Sequence, residues 1–139
     1  SLPTNNHPPS DNPPEPTIED REFIKLTRER ERERERETME VKRRTAKSLI
    51  SKLGSVSEQA RIAALCELRL LTKTDPEIRP VIADEGAIPY IADTLYFSEA
   101  LVQENAAATL LNLSISCRDA LMSTPGVLDA LSHALSYHT

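Results

Sequence analysis

The sequence predicts an all-α chain built from stacked helical repeats, and three observations carry that expectation. Hydrophobic residues make up 39% of the 139 residues, yet aromatics only 4% and Trp is absent, so any core is aliphatic and alanine-rich, a composition that favours helices. Three glycines are too few for the tight hairpins of a sandwich or barrel. From Thr45 onward, apolar residues recur at helical spacing, interrupted at Gly54, Gly86 and Gly126. The length suits one modest domain.

The first 44 residues look different from the rest. Six of the ten prolines fall within residues 1–20. Residues 1–17 have almost no apolar side chains and cannot bury enough surface to offset the entropy of ordering, so a disordered Pro-rich tail is expected. A polyproline ligand is not expected, because no PxxP stretch there is flanked by Arg or Lys. Residues 18–44 form a charged Arg/Glu-rich helix or coil. The strict alternation from Arg28 to Glu37 makes every i,i+3 pair opposite in sign and every i,i+4 pair alike. Attraction and repulsion of about 0.2–0.5 kcal/mol per pair then nearly cancel. The tract lacks the a/d apolar residues of a coiled coil. Lys42, Arg43 and Arg44 fall short of a basic nucleic-acid or import cluster. The apolar residues at 23–26, or Met39 and Val41, are expected to lie over the open edge of the first repeat as a cap.

Charge is segmented along the chain. Residues 1–20 carry four acids and no base, residues 21–52 twelve bases and seven acids, and residues 53–139 five bases and eleven acids. An acidic repeat half does not suit phosphate binding, so no nucleic-acid partner is expected. Cys66 and Cys117 lie far apart, with no second thiol or His at ligand spacing, which argues against a disulfide framework or a zinc site. No stretch approaches the length of a membrane span and no signal segment opens the chain, so a cytoplasmic or nuclear location without membrane contact is expected. The chain opens on Ser1 rather than Met, which points to a fragment or a processed product.

The repeat emerges on self-comparison. GAIPYIADTL, beginning at Gly86, superimposes on GVLDALSHAL, beginning at Gly126, and AALCEL, beginning at Ala63, superimposes on ATLLNL, beginning at Ala108. The offsets are 40 and 45 residues. One full unit reads as three helices. The first has Asp75 as N-cap, Pro76 at its first helical position and Gly86 ending it in the left-handed conformation. The second covers residues 87–96, with Pro89 tolerable in its first turn. The third covers residues 101–115, with Val102, Ala106, Leu110 and Leu113 on one face. Its counterpart in the preceding unit starts with Ser55 and Glu58 at capping-box spacing. Such units cannot bury their apolar faces alone and must stack. The third unit stops after its second helix, at residues 127–137. Leu128, Leu131 and Leu135 are then left uncovered, and a longer parent chain is expected.

Residues RPVIADEGAIP, beginning at Arg79, followed by QENAAATLLNLS, beginning at Gln103, resemble an armadillo repeat, and their wording is most similar to the armadillo region of plant U-box proteins. The resemblance covers residues 45–139. It implies a right-handed armadillo superhelix of about two and a half repeats. Its third helices line a concave groove that binds an extended peptide or partner protein. Plant relatives often carry a U-box that recruits a ubiquitin-conjugating enzyme, while the armadillo part selects the substrate. No Cys-Pro-rich U-box signature precedes Thr45. The expected function is therefore noncatalytic protein–protein interaction. The alternative is the substrate-recognition fragment of a plant U-box ubiquitin ligase whose U-box lies outside this chain.

With the Val102 side packed inward, Leu101, Asn105, Ala108 and Asn112 face the concave surface. An Asn amide offers both donor and acceptor, so it can pair with the backbone of an extended ligand whatever its side chains. Asn112 matches the groove Asn of the armadillo family, and the family's frequent Trp falls at Ala108, so an importin-like grip on basic signals is not expected. The equivalent positions of the preceding unit are Ala63 and Glu67. Cys66 aligns with Leu111 and is expected to be a buried apolar thiol. His133 aligns with Asp93 on an exposed side, and His7 and His138 lie near the termini. Tyr90, Tyr96 and Phe97 are expected to fill the packing layer of the second helix. No carboxylate pair or ligand cluster supports catalysis, and neither cofactor, metal nor small-molecule substrate is expected.

Overall fold

The computed structural model describes residues 11–136, and all regular structure among them is helical. Six helices follow in order: α1 (Ile18–Leu53), α2 (Glu58–Thr74), α3 (Ile78–Asp84), α4 (Ala87–Thr94), α5 (Ala100–Ser123) and α6 (Val127–Ser136). The described residues fall into two units, one up to Glu37 and one from Thr38 onward. Most of the Pro-rich tail expected at residues 1–17, together with His7 and His138, lies outside the described residues.

In the first unit, the charged tract is helical throughout and all of residues 18–37 are exposed. A capping box starts it. The Asp20 amide donates to Thr17 Oγ1 at 3.1 Å and the Thr17 amide donates to Asp20 Oδ2 at 3.0 Å. The Thr17 bonds hold the Asp20 carboxyl below its ordinary range. Arg and Glu are good helix formers, and a capped start lowers the cost of nucleation. Phe23, Ile24 and Leu26 are exposed. Val41 is exposed too, and the partly buried residue of that set is Met39, packed against the core.

The second unit is an armadillo-like helical solenoid. Its core takes aliphatic side chains from all six helices: Leu49 and Leu53 of α1, Leu65 and Leu68 of α2, Ile82 of α3, Ile88 and Ile91 of α4, Val102 and Leu113 of α5, and Val127 and Ala130 of α6. At about 25 cal/mol per Å² of apolar surface removed from water, such burial is what holds the stack together. Gly86 and Gly126 sit at φ +83° and +86°, each turning the chain sharply into the next helix. This left-handed conformation is easy for glycine and strained for other residues.

Several expected boundaries move for local reasons. α2 is capped by Ser57 rather than Ser55, with Ser57 Oγ accepting from the Ala60 amide at 3.3 Å. Ser55 Oγ instead accepts from the Ser57 amide and shapes the turn ahead of the cap. Asp75 closes α2, its amide donating to Leu71 O, so α3 begins at Ile78 and not at Pro76. Asp75 still organises the turn, because its Oδ1 accepts from the Glu77 amide and its carbonyl from the Ile78 amide. Lys42 of α1 pins this turn, at 3.0 Å from Asp75 Oδ2 and 3.2 Å from Glu77 Oε2. The third helix of the second repeat runs past residue 115 to a break at Cys117, where φ −126° and ψ 37° are non-helical. The short stretch beyond it, residues 118–123, is the first helix of the third repeat.

The aromatic residues are not core. Tyr90 is 52%, Tyr96 50% and Phe97 37% exposed. The short α4 fills its buried face with Ala87, Ile88, Ile91 and Ala92, which leaves Tyr90 on the outer side. Phe97 lies under the Arg61 guanidinium at 4.9 Å, and the Tyr96 ring meets His133 at 4.8 Å. Cys66 is exposed, correcting its expected burial. Its repeat partner Leu111 is exposed as well, so the alignment holds and only the inference from Leu to burial fails.

Candidate partner-binding surface

The third helices of the first two repeats, α2 and α5, lie side by side and run in the same direction. Arg61 near the start of α2 stacks on Phe97 just ahead of α5, and Arg69 and Thr72 near its end meet Asn105 and Asn112. A polar seam joins them. The Arg69 guanidinium donates to Asn105 Oδ1 at 3.2 Å. Asn112 Nδ2 donates to the Arg69 carbonyl and to Thr72 Oγ1, both at 3.2 Å. The buried Arg79 of α3 donates from Nε to the Thr72 carbonyl at 2.6 Å and from a terminal nitrogen to Ser116 Oγ at 3.2 Å. The Thr72 carbonyl needs that donor, because the residue four positions on is Pro76, which has no N–H.

The inward face of α5 is as the spacing implies: Val102, Ala106, Leu110 and Leu113 are all buried. Asn105, expected on the open face, is instead buried, and both ends of its amide are engaged. Oδ1 accepts from Arg69 and Nδ2 donates to the Leu101 carbonyl at 2.8 Å. Ala108 and Asn112 are half-buried, and Leu101, Ala63 and Glu67 are exposed.

The outward faces of α2 and α5 correspond position by position at the 45-residue offset. Ala63, Glu67 and Leu70 form one row, and Ala108, Asn112 and Ile115 the other. Leu70 and Ile115, at 59% and 70% exposed, were not singled out from sequence. They lie three residues beyond Glu67 and Asn112, and extending the face by one helical turn finds them. The two rows offer aliphatic surface interrupted by one carboxylate and one amide. Because the Asn112 nitrogen is committed within the chain, what it presents outward is its carbonyl acceptor.

Among the described residues, no group of three or more His, Cys, Asp and Glu side chains is arranged to hold a metal ion. None of the helices is long and apolar enough to cross a membrane. Burial pushes the Cys117 thiol above its ordinary range, with the charge of Asp84 adding to the shift and that of Arg79 opposing it.

Comparison with known proteins agrees with this architecture. Residues 75–115 match the armadillo/beta-catenin-like repeat family, a span that runs from the turn before α3 almost to the kink in α5. Over 77 residues, 55% of this chain, the sequence is 44% identical to U-box domain-containing protein 4 of Oryza sativa subsp. japonica and 42% identical to U-box domain-containing protein 17 of Arabidopsis thaliana. Over 68 residues, 49% of this chain, it is 44% identical to the rice E3 ubiquitin-protein ligase SPL11. The matched segments cover 11%, 11% and 10% of those proteins, so the chain spans only a small part of the relatives it matches. No solved structure matches. Residues 75–115 are thus an armadillo repeat, set in a helical repeat region similar in sequence to plant U-box proteins.

Proposed function

We propose that the repeat region is a noncatalytic protein-binding module whose outward α2/α5 surface receives a segment of a partner protein. One observation carries this reading: two consecutive third helices turn the same three positions outward, Ala63–Glu67–Leu70 and Ala108–Asn112–Ile115, and, although Ala108 and Asn112 are half-buried, leave Leu70 and Ile115 exposed where solvent alone would favour polar side chains. Leu101 extends the second row. Apolar side chains of the partner cover Leu70, Leu101 and Ile115, a backbone N–H donates to Asn112 Oδ1, and Glu67 favours a cationic flank. Asn105 acts from beneath, holding Arg69 and α5 in place. The partner is a protein or an extended peptide; nucleic acid, membrane and small molecules are not part of this reading.

The test is recovery of a partner from plant extract with the immobilised chain, followed by a direct titration with that purified partner. Asn112→Ala combined with Ile115→Glu should weaken the titration at least about tenfold, as expected for central positions of an interface. Asp93→Ala on exposed α4 surface should leave it unchanged. Equal affinity for both variants would dismiss the surface.

A second reading is favoured by the names of the relatives, one of which is an E3 ubiquitin-protein ligase. Here the module selects substrates within a longer ligase. Fusing the chain to a U-box should then direct ubiquitin onto the titrated partner, and the Asn112→Ala, Ile115→Glu variant should not.

A further inference from the structure

The Arg/Glu tract of α1 is the feature of the chain that the α2/α5 surface leaves unused. Every residue from Ile18 to Glu37 is exposed. In a charged helix standing alone, opposite charges four residues apart support the helix and like charges oppose it. Here the i,i+4 pairs are alike: Arg28, Arg32 and Arg36 in one series, Glu29, Glu33 and Glu37 in the other. At 3.6 residues per turn such series line up as stripes. Arg21, Lys25, Arg28, Arg32 and Arg36 form a basic stripe, with steps of four, three, four and four residues. Glu22, Leu26, Glu29, Glu33 and Glu37 form an acidic stripe beside it, with the same steps one residue later. The basic stripe is a real face of the helix. Arg21, Lys25, Arg28 and Arg32 line one open groove together with Ile24 and Glu29. Arg36 Nε donates to the Arg32 carbonyl one turn back, at 3.3 Å. Arg30 and Arg34, with Glu31 and Glu35, repeat the arrangement over a shorter length on the far side.

The charges decide what fits this surface. A polyanion drawn to the basic stripe is repelled by the carboxylates running alongside. A matching helix must set an acid opposite each base and a base opposite each acid, and a two-fold axis parallel to α1 supplies that helix from the same sequence. Rotation about this axis exchanges left and right without reversing the chain, so the basic stripe of each copy faces the acidic stripe of the other. An antiparallel pair sets like against like. We propose that α1 pairs in parallel and in register with α1 of a second copy of this chain. Arg28, Arg32 and Arg36 of one copy then meet Glu29, Glu33 and Glu37 of the other. Each pair is offset by one residue, about 1.5 Å along the axis, which side chains of this length absorb. Leu26 lies against the aliphatic stems of Lys25 and Arg28. With no apolar seam, the contact is a ladder of exposed ion pairs, individually weak and sensitive to salt. The pairing does not depend on the α2/α5 surface, but it brings two repeat regions onto one particle and so strengthens the hold on any partner with two binding segments.

Sedimentation equilibrium of the full chain at about 20 mM salt should show a reversible dimer, and raising the salt to about 500 mM should weaken it at least about tenfold. Arg28→Glu, Arg32→Glu and Arg36→Glu together make both stripes acidic, and Glu29→Arg, Glu33→Arg and Glu37→Arg together make both basic. Each triple variant alone should stay monomeric, whereas an equimolar mixture of the two should form a one-to-one pair. Orientation is read with Ile18→Cys in a Cys66→Ser background, because Ile18 lies on the line between the stripes. Mild oxidation should join two copies through residue 18. A chain that is monomeric at low salt, a dimer indifferent to salt or to either triple variant, or a mixture that fails to pair overturns the proposal. Absence of the residue 18 cross-link in the dimer overturns it as well.

Discussion

Replacing Arg79 with Met tests whether the polar seam between repeats contributes to stability. The side chain is 7% exposed, and its Nε donates to the Thr72 carbonyl at 2.6 Å. That carbonyl lies in the last turn of α2, where Pro76 removes the backbone donor that would otherwise reach it. Methionine fills much of the same volume and restores no donor, so the carbonyl is left buried and unpaired. A hydrogen bond to a charged group contributes about 1.5–3 kcal/mol. A cation near a helix C-terminus adds about 0.3–1 kcal/mol through the aligned peptide dipoles. Relief from holding a guanidinium out of water offsets part of the loss. The expected net cost is about 2 kcal/mol, or a melting point lower by roughly 10 °C for a unit of this size. Urea unfolding followed by far-ultraviolet circular dichroism measures it. Arg79→Lys, which keeps the charge and loses the planar fork, should fall between the two. A change below about 0.5 kcal/mol for Arg79→Met would show that the Thr72 carbonyl is satisfied some other way, and would refute the argument from Pro76.

Three further predictions follow from local geometry. Gly86→Ala meets no neighbour within 4 Å but must hold φ +83°, so it should destabilise by about 1 kcal/mol from the left-handed backbone alone, as read by thermal melting. The hydrogen bond to Asp75 raises the Lys42 pKa, with burial opposing and Glu77 reinforcing. The charged form is therefore favoured in the folded chain. Its stabilisation is complete at neutral pH and is lost as pH climbs above the ordinary lysine range; Lys42→Met should remove that alkaline step from a pH series of unfolding midpoints. Cys66 is exposed, while Cys117 is partly buried with its thiol pKa raised, so a thiol reagent at neutral pH should modify Cys66 well before Cys117, as resolved by mass spectrometry of tryptic peptides.

The repeat was legible in the sequence because its punctuation is physical. Gly86 and Gly126 mark left-handed turns, and the spacing of Val102, Ala106, Leu110 and Leu113 marks a buried face; both features follow from local geometry. The helix starts were less legible. Asp75 reads as an N-cap, yet its amide closes α2, while its carboxylate meets Lys42, 33 positions away in the chain. The burial of single residues was least legible. Leu111 and Cys66 are apolar, yet both lie on the exposed side of their helices. Asn105, expected on the open face of α5, is buried, and only the fold brings Arg69 within reach of its amide. On the candidate surface, the aligned positions were readable and the commitment of the Asn112 nitrogen to α2 was not, since it rests on a contact between repeats.

The break at Cys117 joins the second repeat to the third without any loop. With no spare chain at this joint, the direction of residues 118–123 is set by the rod that carries Asn112 and Ile115. The third repeat thus takes its direction from the second through two torsion angles, much as an elbow passes rotation from forearm to upper arm.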